Sequence, residues 1–378
     1  MNTDNTHHET RNSKRKTRNT KRETNLLHLK RLKIAIIIPR LAQLGPILFI
    51  QTLVNKLCEI NNLQIKVFYL DKKVDSSIKM RVPVERLSYW SFCFSDYDII
   101  HTNGIRPDLF AFVNRRKIRY HISTIHNFVF EDLRYTYNRF ISLIFGYVWL
   151  FLWRRADKLV CVTGSMKNYY EKWLSSTKLE VIYYGIAEKD DSFVPDQDII
   201  EARDGFHSRG LKVIGNASIL TKRKGIDQIL HFLTIEKGFA FIIIGKGKEL
   251  DNLQRLAKKL DISDRCYFCG FRSHAVIYFR YFDFFVMPSR SEGLGLALIE
   301  AVQQKVPVIC SDLDVFKELF TSEEVTFFAL EDINSLTEAL KLSKEVAEKK
   351  ADSSYNWYQQ KFTDTVMAEH YFELYKSA

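Results

Sequence analysis

The stretch SRSEGLGLALIEAVQQKVPVICSD, Ser289 to Asp312, combines a glycine-rich turn, a helix-like segment and a short apolar strand. Leu296, Ile299 and Val302 have the spacing of one helix face, so LALIEAVQQ predicts a helix that packs on a core. The apolar run DFFVMP precedes the turn, and VPVIC follows the helix. Apolar strands joined through a helix are typical of a parallel sheet, because parallel neighbours need a long crossover connection.

The same alternation extends over most of the chain. Before the stretch Ala187 to Gly205, the strand candidates are KIAIIIP, IKVFYL, YDIIHT, HISTIH, DKLVCVT and LEVIYYG; after it they are LKVIGNAS, FAFIIIGKG, RCYFCG, DFFVMPS and VPVICSD. Continuous apolar strands of this kind are buried on both faces by helices. The chain has 378 residues, more than one core usually supports. We therefore predict an α/β protein with two Rossmann-like, doubly wound domains.

The domain limits follow from composition. The stretch Ala187 to Gly205 is polar and without sustained periodicity, so the first domain is predicted over residues 31–190 and the second over 191–354. Residues 1–30 contain eight Lys or Arg against three acids and, apart from Met1, no large apolar residue before Leu26. This composition predicts a disordered basic tail.

The net charge of +11 favours an anionic partner: nucleic acid, a membrane surface or a phosphorylated substrate. No nucleic-acid motif accompanies the charge, so nucleic acid is the least favoured of the three. The six cysteines are scattered and no signal peptide is evident, which favours a reducing, cytoplasmic setting.

The longest apolar run is FISLIFGYVWLFLW, Phe140 to Trp153, between Arg139 and the pair Arg154 and Arg155. It is shorter than the roughly 20 residues that span a bilayer. The run favours a buried core helix. Its aromatic content and flanking arginines leave interfacial membrane contact as the alternative.

Two acids, Glu292 and Glu300, flank the glycine-rich turn. With Glu300 in the second turn of a helix, they are expected on the order of 10 Å apart. Hydrolytic carboxylate pairs lie roughly 5 to 9.5 Å apart, so a glycosidase pair is disfavoured. The backbone amides of GLGL open a helix and offer an anion site. One elongated ligand with a central phosphate and a sugar at each end, such as a nucleoside diphosphate sugar, fits this arrangement.

The segment EGLGLALIE, followed by the A…K.PVI.SD context, resembles the retaining glycosyltransferases of family 4, which have the GT-B fold. The resemblance implies two Rossmann-like domains that face each other across a cleft. It also implies that Glu300 holds the ribose hydroxyls and Glu292 the donor sugar. The backbone amides facing sugar and phosphate would be those of Gly293, Leu294, Gly295 and Leu296.

SILTKRKGIDQIL resembles the phosphate-binding segment of this family, in which an arginine and a lysine precede a glycine. Lys224 matches the lysine. The resemblance implies that Lys224 contacts the leaving diphosphate, where a cation stabilises the negative charge that develops. The arginine position falls on Ile219. Arg223 or Lys222 could replace that arginine.

Further cleft residues follow from the resemblance alone. Gly245 in FIIIGKG and Phe271 in FCGF lie where the family lines its nucleotide base pocket. STIHN resembles the histidine motif at a strand end, which gives His126 a role near the donor sugar or the acceptor. DIIHTNG supplies His101 and Asn103 as residues expected to line the cleft.

The chain departs from the family pattern at three places. In the family the first turn usually has paired glycines whose amides approach the phosphates, so the resemblance implies that Gly45 binds the donor; here it is followed by Pro46, which has no amide to offer. Tyr184 in VIYYGI replaces the usual asparagine, and Ile219 replaces the arginine. These departures imply an altered donor or acceptor, or impaired activity.

No metal site is predicted. Asp312 and Asp314 have the form of a metal motif from the other major glycosyltransferase fold, but they follow a strand deep in the second domain. Cys266 and Cys269 form one C-x-x-C with no second pair.

The resemblance implies a metal-independent, retaining transferase that needs no cofactor. It would move a hexose from a nucleotide diphosphate sugar, with UDP favoured and GDP the alternative, to a lipid-linked, lipopolysaccharide or capsule-type glycan. The expected location is the cytoplasm, peripheral on the inner face of the cytoplasmic membrane. Residues 355–378 resemble a final helix that returns to the first domain. The alternative is an impaired member that binds nucleotide sugar or scaffolds a membrane assembly.

Overall fold

The computed structural model of the chain describes residues 31–72, 74–134, 139–187 and 193–378. The predicted basic tail, residues 1–30, and the predicted boundary at residues 190 and 191 lie outside the described residues.

The first half of the chain forms a parallel sheet. Within the described residues its strands are β1 (Leu32–Ile38), β2 (Leu63–Tyr69), β3 (Val84–Arg86), β4 (Ile99–Asn103), β5 (Tyr120–Ile125), β6 (Lys158–Cys161) and β7 (Leu179–Val181). Their order in the sheet is β3-β2-β1-β4-β5-β6-β7. The order reverses direction at β1, so a crevice opens beyond the carboxyl ends of β1 and β4.

The second half forms another parallel sheet. Its strands among the described residues are β8 (Lys212–Ala217), β9 (Phe239–Ile244), β10 (Cys266–Gly270), β11 (Phe284–Met287), β12 (Val308–Ser311) and β13 (Thr326–Phe328). Their order is β10-β9-β8-β11-β12-β13. β3 and β13 are not among the strands predicted from the sequence; each is only three residues long and lies at an edge of its sheet.

Helices connect the strands. In the described part of the first half they are α1 (Gly45–Leu57), α2 (Ile105–Val113), α3 (Val129–Arg134), α4 (Arg139–Trp153) and α5 (Gly164–Tyr170). In the second half they are α6 (Gln197–Ser208), α7 (Ile226–Ile235), α8 (Leu250–Lys259), α9 (Leu296–Gln303), α10 (Asp314–Leu319), α11 (Ile333–Ala339), α12 (Lys344–Lys361) and α13 (Asp364–Lys376).

Both sheets are buried on both faces. In β1, Ile34 and Ile36 belong to one buried cluster, whereas Ala35 and Ile37 belong to another. Successive side chains of a strand point to opposite faces, so apolar packing covers each side of the sheet. The continuous apolar strands in the sequence are explained by this double burial, and the predicted α/β, doubly wound fold class is confirmed.

Two local expectations are wrong. The polar stretch after Ala187 contains α6, which Ile199 and Phe206 anchor by burying their side chains on one helix face. Gly45 and Pro46 are not a turn before α1 but its first two residues. A proline is tolerated there because the first amides of a helix have no intrahelical partner.

The apolar run Phe140 to Trp153 forms α4, but the expectation of a buried core helix holds for only one of its faces. Leu150 and Trp153 are buried, whereas Phe140, Val148 and Phe151 are exposed. None of the described helices is both long and apolar enough to cross a membrane.

The final helix, α13, lies against the first sheet. The hydroxyl of Tyr375 is 2.7 Å from Nδ1 of His101, and the hydroxyl of Tyr371 is 3.0 Å from Oγ1 of Thr124. The expectation that His101 lines the cleft is therefore wrong, because its other ring nitrogen also bonds Thr124 and its side chain is fully buried.

Candidate active site

The loop between β11 and α9 carries Glu292 and is held by backbone geometry. Gly295 has φ of +89°, a left-handed conformation that favours glycine, and a Cβ there would lie 2.5 Å from the ring of Phe316. Leu294 is buried and anchors the turn. No side chain among the described residues caps α9 at Gly295, so the first amides of the helix, from Leu296 on, have no side-chain acceptor there.

Glu292 is 6% exposed and is surrounded by donors. Its Oε1 accepts from Lys224 Nζ at 2.5 Å and from the Ser289 hydroxyl at 2.7 Å. Its Oε2 accepts from Arg223 Nη1 at 3.1 Å, and the same guanidinium nitrogen donates to the carbonyl of Ser291 at 2.7 Å. The TKRKG segment and the EGLGL loop thus form one charged cluster.

This cluster keeps Glu292 ionised. Burial alone would raise the pKa of its carboxyl, but Lys224 and Arg223 attract the charged form and hydrogen bonds from Lys224 and Ser289 add to that attraction. The net effect lowers the pKa below its ordinary value. A carboxylate has about four lone-pair sites, so Glu292 retains capacity to accept from a ligand hydroxyl.

Ile219, Arg223 and Lys222, the residues considered for the arginine position of the family pattern, have different surroundings. Ile219, at the family position, has a side chain that is 63% exposed. Arg223 supplies the guanidinium that contacts Glu292, while Lys222 is exposed.

Glu300 has a different environment in the second turn of α9. Burial raises the pKa of its carboxyl to about 7. Within the described residues its carboxyl has no hydrogen-bond partner. Such a group can release a proton and accept hydrogen bonds when a ligand with hydroxyls arrives.

The EGLGL loop touches the first half of the chain at His126. A Cβ on Gly293 would lie 2.5 Å from the carbonyl oxygen of His126, so only glycine permits this approach. The carbonyl of Gly293 lies 3.4 Å from Oγ1 of Thr163, which follows β6. Glu292 and His126 are predicted from separate motifs. The structure places them on opposite sides of one contact between the two halves of the chain.

The His126 ring is oriented through both nitrogens. Nε2 is 3.0 Å from Oδ1 of Asn103, so it carries the hydrogen, and Nδ1 accepts from the hydroxyl of Tyr184. Burial lowers the pKa of His126 to about 3, so the ring is neutral. Phe49 of α1 stacks on Tyr184 with ring centroids 4.2 Å apart. Tyr184, noted in the sequence only as a departure, is thus a direct partner of His126.

Asn103 offers an unused donor beside this ring. Its side chain is buried and its Nδ2 has no partner among the residues that the structure describes. The predicted position of Asn103 at the end of β4 is consistent with this contact to His126.

A cavity of about 380 Å³ lies between the two halves of the chain. Glu292 and Ser291 line it from the second half, and Glu131, Asn168 and Lys172 line it from the first. A ligand in this cavity would contact both sheets' loops and the carboxylate of Glu292.

The roles expected for Gly45, Gly245 and Phe271 at the nucleotide stay predictions. Gly45 is exposed at the start of α1, and Gly245 directly follows β9, where its amide donates to the carbonyl of Gly270 at 2.8 Å. Phe271 is half-exposed, with the ammonium of Lys246 4.6 Å from its ring centre. Across the described ranges, no contact joins these residues to Glu292.

Sequence reasoning missed Glu318 of α10. Its carboxylate accepts from the amides of Gly164 and Ser165 at 2.5 and 2.6 Å, and from the hydroxyls of Ser165 and Tyr183 at 2.6 and 3.0 Å. This carboxylate caps α5 across the cleft and ties the halves together. Glu318, Gly164 and Ser165 lie in no motif, and Tyr183 was not singled out within VIYYGI, so no local signal points to this contact.

Metal coordination has no counterpart in the described structure. Outside residues 1–30, 73, 135–138 and 188–192, no group of three or more His, Cys, Asp or Glu side chains could hold a metal ion. Asp312 accepts from the amide of Leu330 at 3.1 Å and pairs with Lys317 at 3.3 Å.

Comparisons with known proteins identify the family of the chain. The family model described as Glycosyltransferase Family 4 matches residues 72–189, and the model described as Glycosyl transferases group 1 matches residues 199–360. The O-antigen biosynthesis glycosyltransferase WclY of Escherichia coli is 32% identical over 367 residues, which cover 92% of this chain and 98% of WclY.

Two further similarities bear on fold and chemistry. The UDP-Gal:alpha-D-GlcNAc-diphosphoundecaprenol alpha-1,3-galactosyltransferase of Escherichia coli is 25% identical over 260 residues, 65% of each chain. The structure of Anabaena Alr3699/HepE in complex with UDP-glucose superposes with a TM-score of 0.76 at 16% identity, covering 92% of this chain and 100% of that one. At this identity the superposition shows the fold alone.

Two parallel sheets that face each other across a cleft, with the EGLGL loop at their contact, give the chain the GT-B fold. The family models and the full-length relative identify it further: this chain belongs to glycosyltransferase family 4, glycosyl transferases group 1.

Proposed function

We propose that this glycosyltransferase moves a hexose from a nucleotide diphosphate sugar to a lipid-linked glycan, with retention of anomeric configuration. The observation that carries the proposal is the buried cluster of Glu292 with Lys224 and Arg223. A carboxylate held ionised beside two cations can accept from sugar hydroxyls while the cations attract a diphosphate.

The proposed transfer step needs no nucleophile from the enzyme. The bond between the anomeric carbon and the phosphate oxygen breaks, and the diphosphate leaves with the electron pair. The acceptor hydroxyl attacks from the same face, and its proton passes to the departing phosphate oxygen. Lys224 and Arg223 stabilise the negative charge that develops on that phosphate. These two cations support a reaction that needs no metal ion.

In the proposed complex, Glu300 and the backbone amides at the start of α9 bind the nucleotide part of the donor. The carboxyl of Glu300 accepts from the ribose hydroxyls, and the free amides of a helix N-terminus favour phosphate. A UDP-sugar is the favoured donor, because a solved structure of the same fold is described in complex with UDP-glucose and a relative is named for UDP-Gal. A GDP-sugar is the alternative.

The acceptor class rests on the relatives. WclY is named for O-antigen biosynthesis, and the galactosyltransferase is named for a diphosphoundecaprenol-linked acceptor. We extend this class to the present chain as a lipid-linked or lipopolysaccharide-type glycan, assembled at the cytoplasmic membrane surface. The cavity between the two halves has room for an acceptor beside Glu292.

Purified protein tests the site with UDP-glucose, UDP-galactose and GDP-mannose, read by thermal stabilisation and by donor hydrolysis or transfer. Glu292→Gln and Lys224→Ala should each lower turnover by about 100-fold, the scale of losing one charge-stabilising group. Glu338→Gln and Lys258→Ala, on the exposed surface of the second half, are matched controls. A chelator should leave turnover unchanged. Equal turnover in all four variants would sink the site assignment; donor binding with no turnover on any acceptor would favour the impaired alternative.

A further inference from the structure

An apolar face of α4 is open to solvent. Phe140, Ile144, Val148 and Phe151 follow one another at intervals of three or four residues and are all exposed, with Phe140 at 72%. This spacing places them in one stripe along the helix. A contiguous exposed apolar stripe marks an interaction surface, since a solvated helix face is normally polar.

Helix α2 extends the stripe sideways. Leu109 and Val113, four residues apart, are exposed, with Val113 at 72%. The ring of Phe112 packs on that of Phe151 with centroids 5.1 Å apart, so the two helices present one continuous surface. We call this surface the apolar face; its residues are Leu109, Val113, Phe140, Ile144, Tyr147, Val148 and Phe151.

Positive charge lies at one end of the apolar face. The carboxyl ends of the two helices meet where Arg115 Nε donates to the carbonyl of Arg155 at 2.8 Å. Arg116 and Arg154 are exposed beside this contact, as is Arg155, whose guanidinium lies 4.5 Å from the ring centre of Phe112. Asp108 is the single acid in the sequences of α2 and α4, and it is buried. Asp157, two residues beyond Arg155, pairs with Arg115 at 2.5 Å, so Arg116, Arg154 and Arg155 leave the net exposed charge at this end cationic.

Asp108 connects α4, which carries most of the apolar face, to the strands that lead to the cleft. Its carboxylate accepts from the indoles of Trp149 and Trp153 at 2.7 and 2.9 Å. It also accepts from the hydroxyls of Thr102 at 2.5 Å and Ser123 at 2.8 Å. Thr102 precedes Asn103 in β4, and Ser123 lies in β5, which leads to His126. The orientation of α4 is thus tied to the strands that carry the cleft residues.

We infer that the apolar face docks on an anionic lipid bilayer. The apolar side chains enter the interfacial region, and Arg116, Arg154 and Arg155 contact anionic headgroups. Helix α4 lies along the surface, because at 15 residues it is about 22 Å long, less than a bilayer core. Charge complementarity selects lipid over an apolar protein partner. The inference deepens the proposed function, on which it rests, by naming the surface that brings a lipid-linked acceptor to the cleft.

Vesicle sedimentation of the full chain tests the inference. Wild-type protein should bind vesicles of phosphatidylglycerol and phosphatidylcholine more tightly than vesicles of phosphatidylcholine alone. The triple variant Phe140→Ser, Ile144→Ser, Val148→Ser should weaken binding at least about tenfold, because it removes the inserted side chains. Ile235→Ser with Val346→Ser, exposed in the second half, is its matched control and should bind as wild type.

The charge variants form the second arm. Arg116→Gln with Arg154→Gln should weaken binding to anionic vesicles about tenfold, whereas Lys258→Gln with Lys259→Gln, which removes the same charge from α8, should not. Thermal stabilisation by UDP-glucose should be equal in all variants. Its absence in the wild type would contradict the proposed function without affecting the vesicle result.

Three outcomes would overturn the inference. Wild-type protein could bind no vesicle. The face variants could bind as wild type, which would assign binding to residues 1–30 or to another surface. Light scattering could show a wild-type dimer that the triple variant dissociates, which would make the apolar face a subunit interface.

Discussion

The hydroxyl of Tyr184 donates to Nδ1 of His126, so a residue that follows β7 orients the ring of a residue that follows β5. The two are 58 positions apart in the chain. Because Nε2 of His126 bonds Asn103, the neutral ring is held in a single tautomer. Tyr184, where the chain departs from the family pattern, therefore has a defined partner in His126.

Replacing Tyr184 by Phe keeps the stack on Phe49 but leaves Nδ1 of His126 without a donor. Losing one partner of a buried hydrogen bond costs about 1 to 3 kcal/mol, so we expect kcat to fall roughly tenfold with little change in donor affinity. Steady-state kinetics with varied donor separates the two constants. Tyr371→Phe, which removes the neighbouring hydroxyl that contacts Thr124, is the control. An unchanged kcat in Tyr184→Phe would show that the hydroxyl does not position His126.

Adding one methyl group at Gly293 should separate the loop from His126. A Cβ there would lie 2.5 Å from the His126 carbonyl oxygen, which belongs to backbone and cannot rotate away. We expect Gly293→Ala to cost about 1 to 3 kcal/mol of stability and to reduce turnover more than 10-fold. Gly205→Ala is the matched change, since Gly205 lies in α6 with open space at its Cβ. That variant should be slightly stabilised; wild-type turnover in Gly293→Ala would exclude a tight contact.

Donor affinity should depend on pH through Glu300. Its pKa is raised to about 7 by burial, whereas ribose hydroxyls donate to the ionised form. Donor binding therefore favours the deprotonated form of Glu300. The affinity for the donor should rise with pH, and it should be roughly tenfold weaker at pH 6 than well above pH 7. Calorimetric titration of UDP-glucose between pH 5.5 and 8.5 measures the profile. Glu300→Gln should bind more weakly and with a flat profile, while a flat profile in the wild type would contradict contact between ribose and Glu300.

Glu318 should control the contact between the two halves. Glu318→Ala leaves the amides of Gly164 and Ser165 without their acceptor, and we expect a loss of about 1 to 3 kcal/mol. Hydrogen exchange at those two amides should accelerate, because the cap that protects them is removed. Glu323→Ala, four residues beyond α10 and exposed, should change neither quantity. Unaltered exchange at Gly164 and Ser165 would show that Glu318 is not their main acceptor.

Sequence patterns were sufficient for the architecture and for part of the site. The alternation of apolar strands with amphipathic helices predicts two doubly wound sheets, which the structure contains. The EGLGL motif and the preceding TKRKG segment predict Glu292 and Lys224 as partners in one site, and their side chains lie 2.5 Å apart. The contacts of Tyr184 and Glu318 were beyond prediction, because each depends on which distant segments meet in the folded chain: loops of one sheet for Tyr184, and helices of the two halves for Glu318.

Helix α4 illustrates the limit of a local pattern. Its apolar residues predict a helix that avoids water, but whether each face is covered depends on the elements that pack on it. Trp153 is fully buried against Asp108, whereas Phe140 and Val148 of the same helix are exposed. The periodicity of apolar residues predicts the helix, but it does not predict which elements pack against each face of that helix.

The sequence by itself determined most of the strands and helices and the residues of the glycine-rich turn, since these depend on hydrogen bonding and side-chain direction among near neighbours in the chain. Only the tertiary structure decided that Arg223 contacts Glu292, that Tyr184 orients His126, and that one face of α4 remains uncovered. Each of these depends on the packing of segments distant in the chain, and such packing is set by sheet order and by the fit of side chains across the cleft.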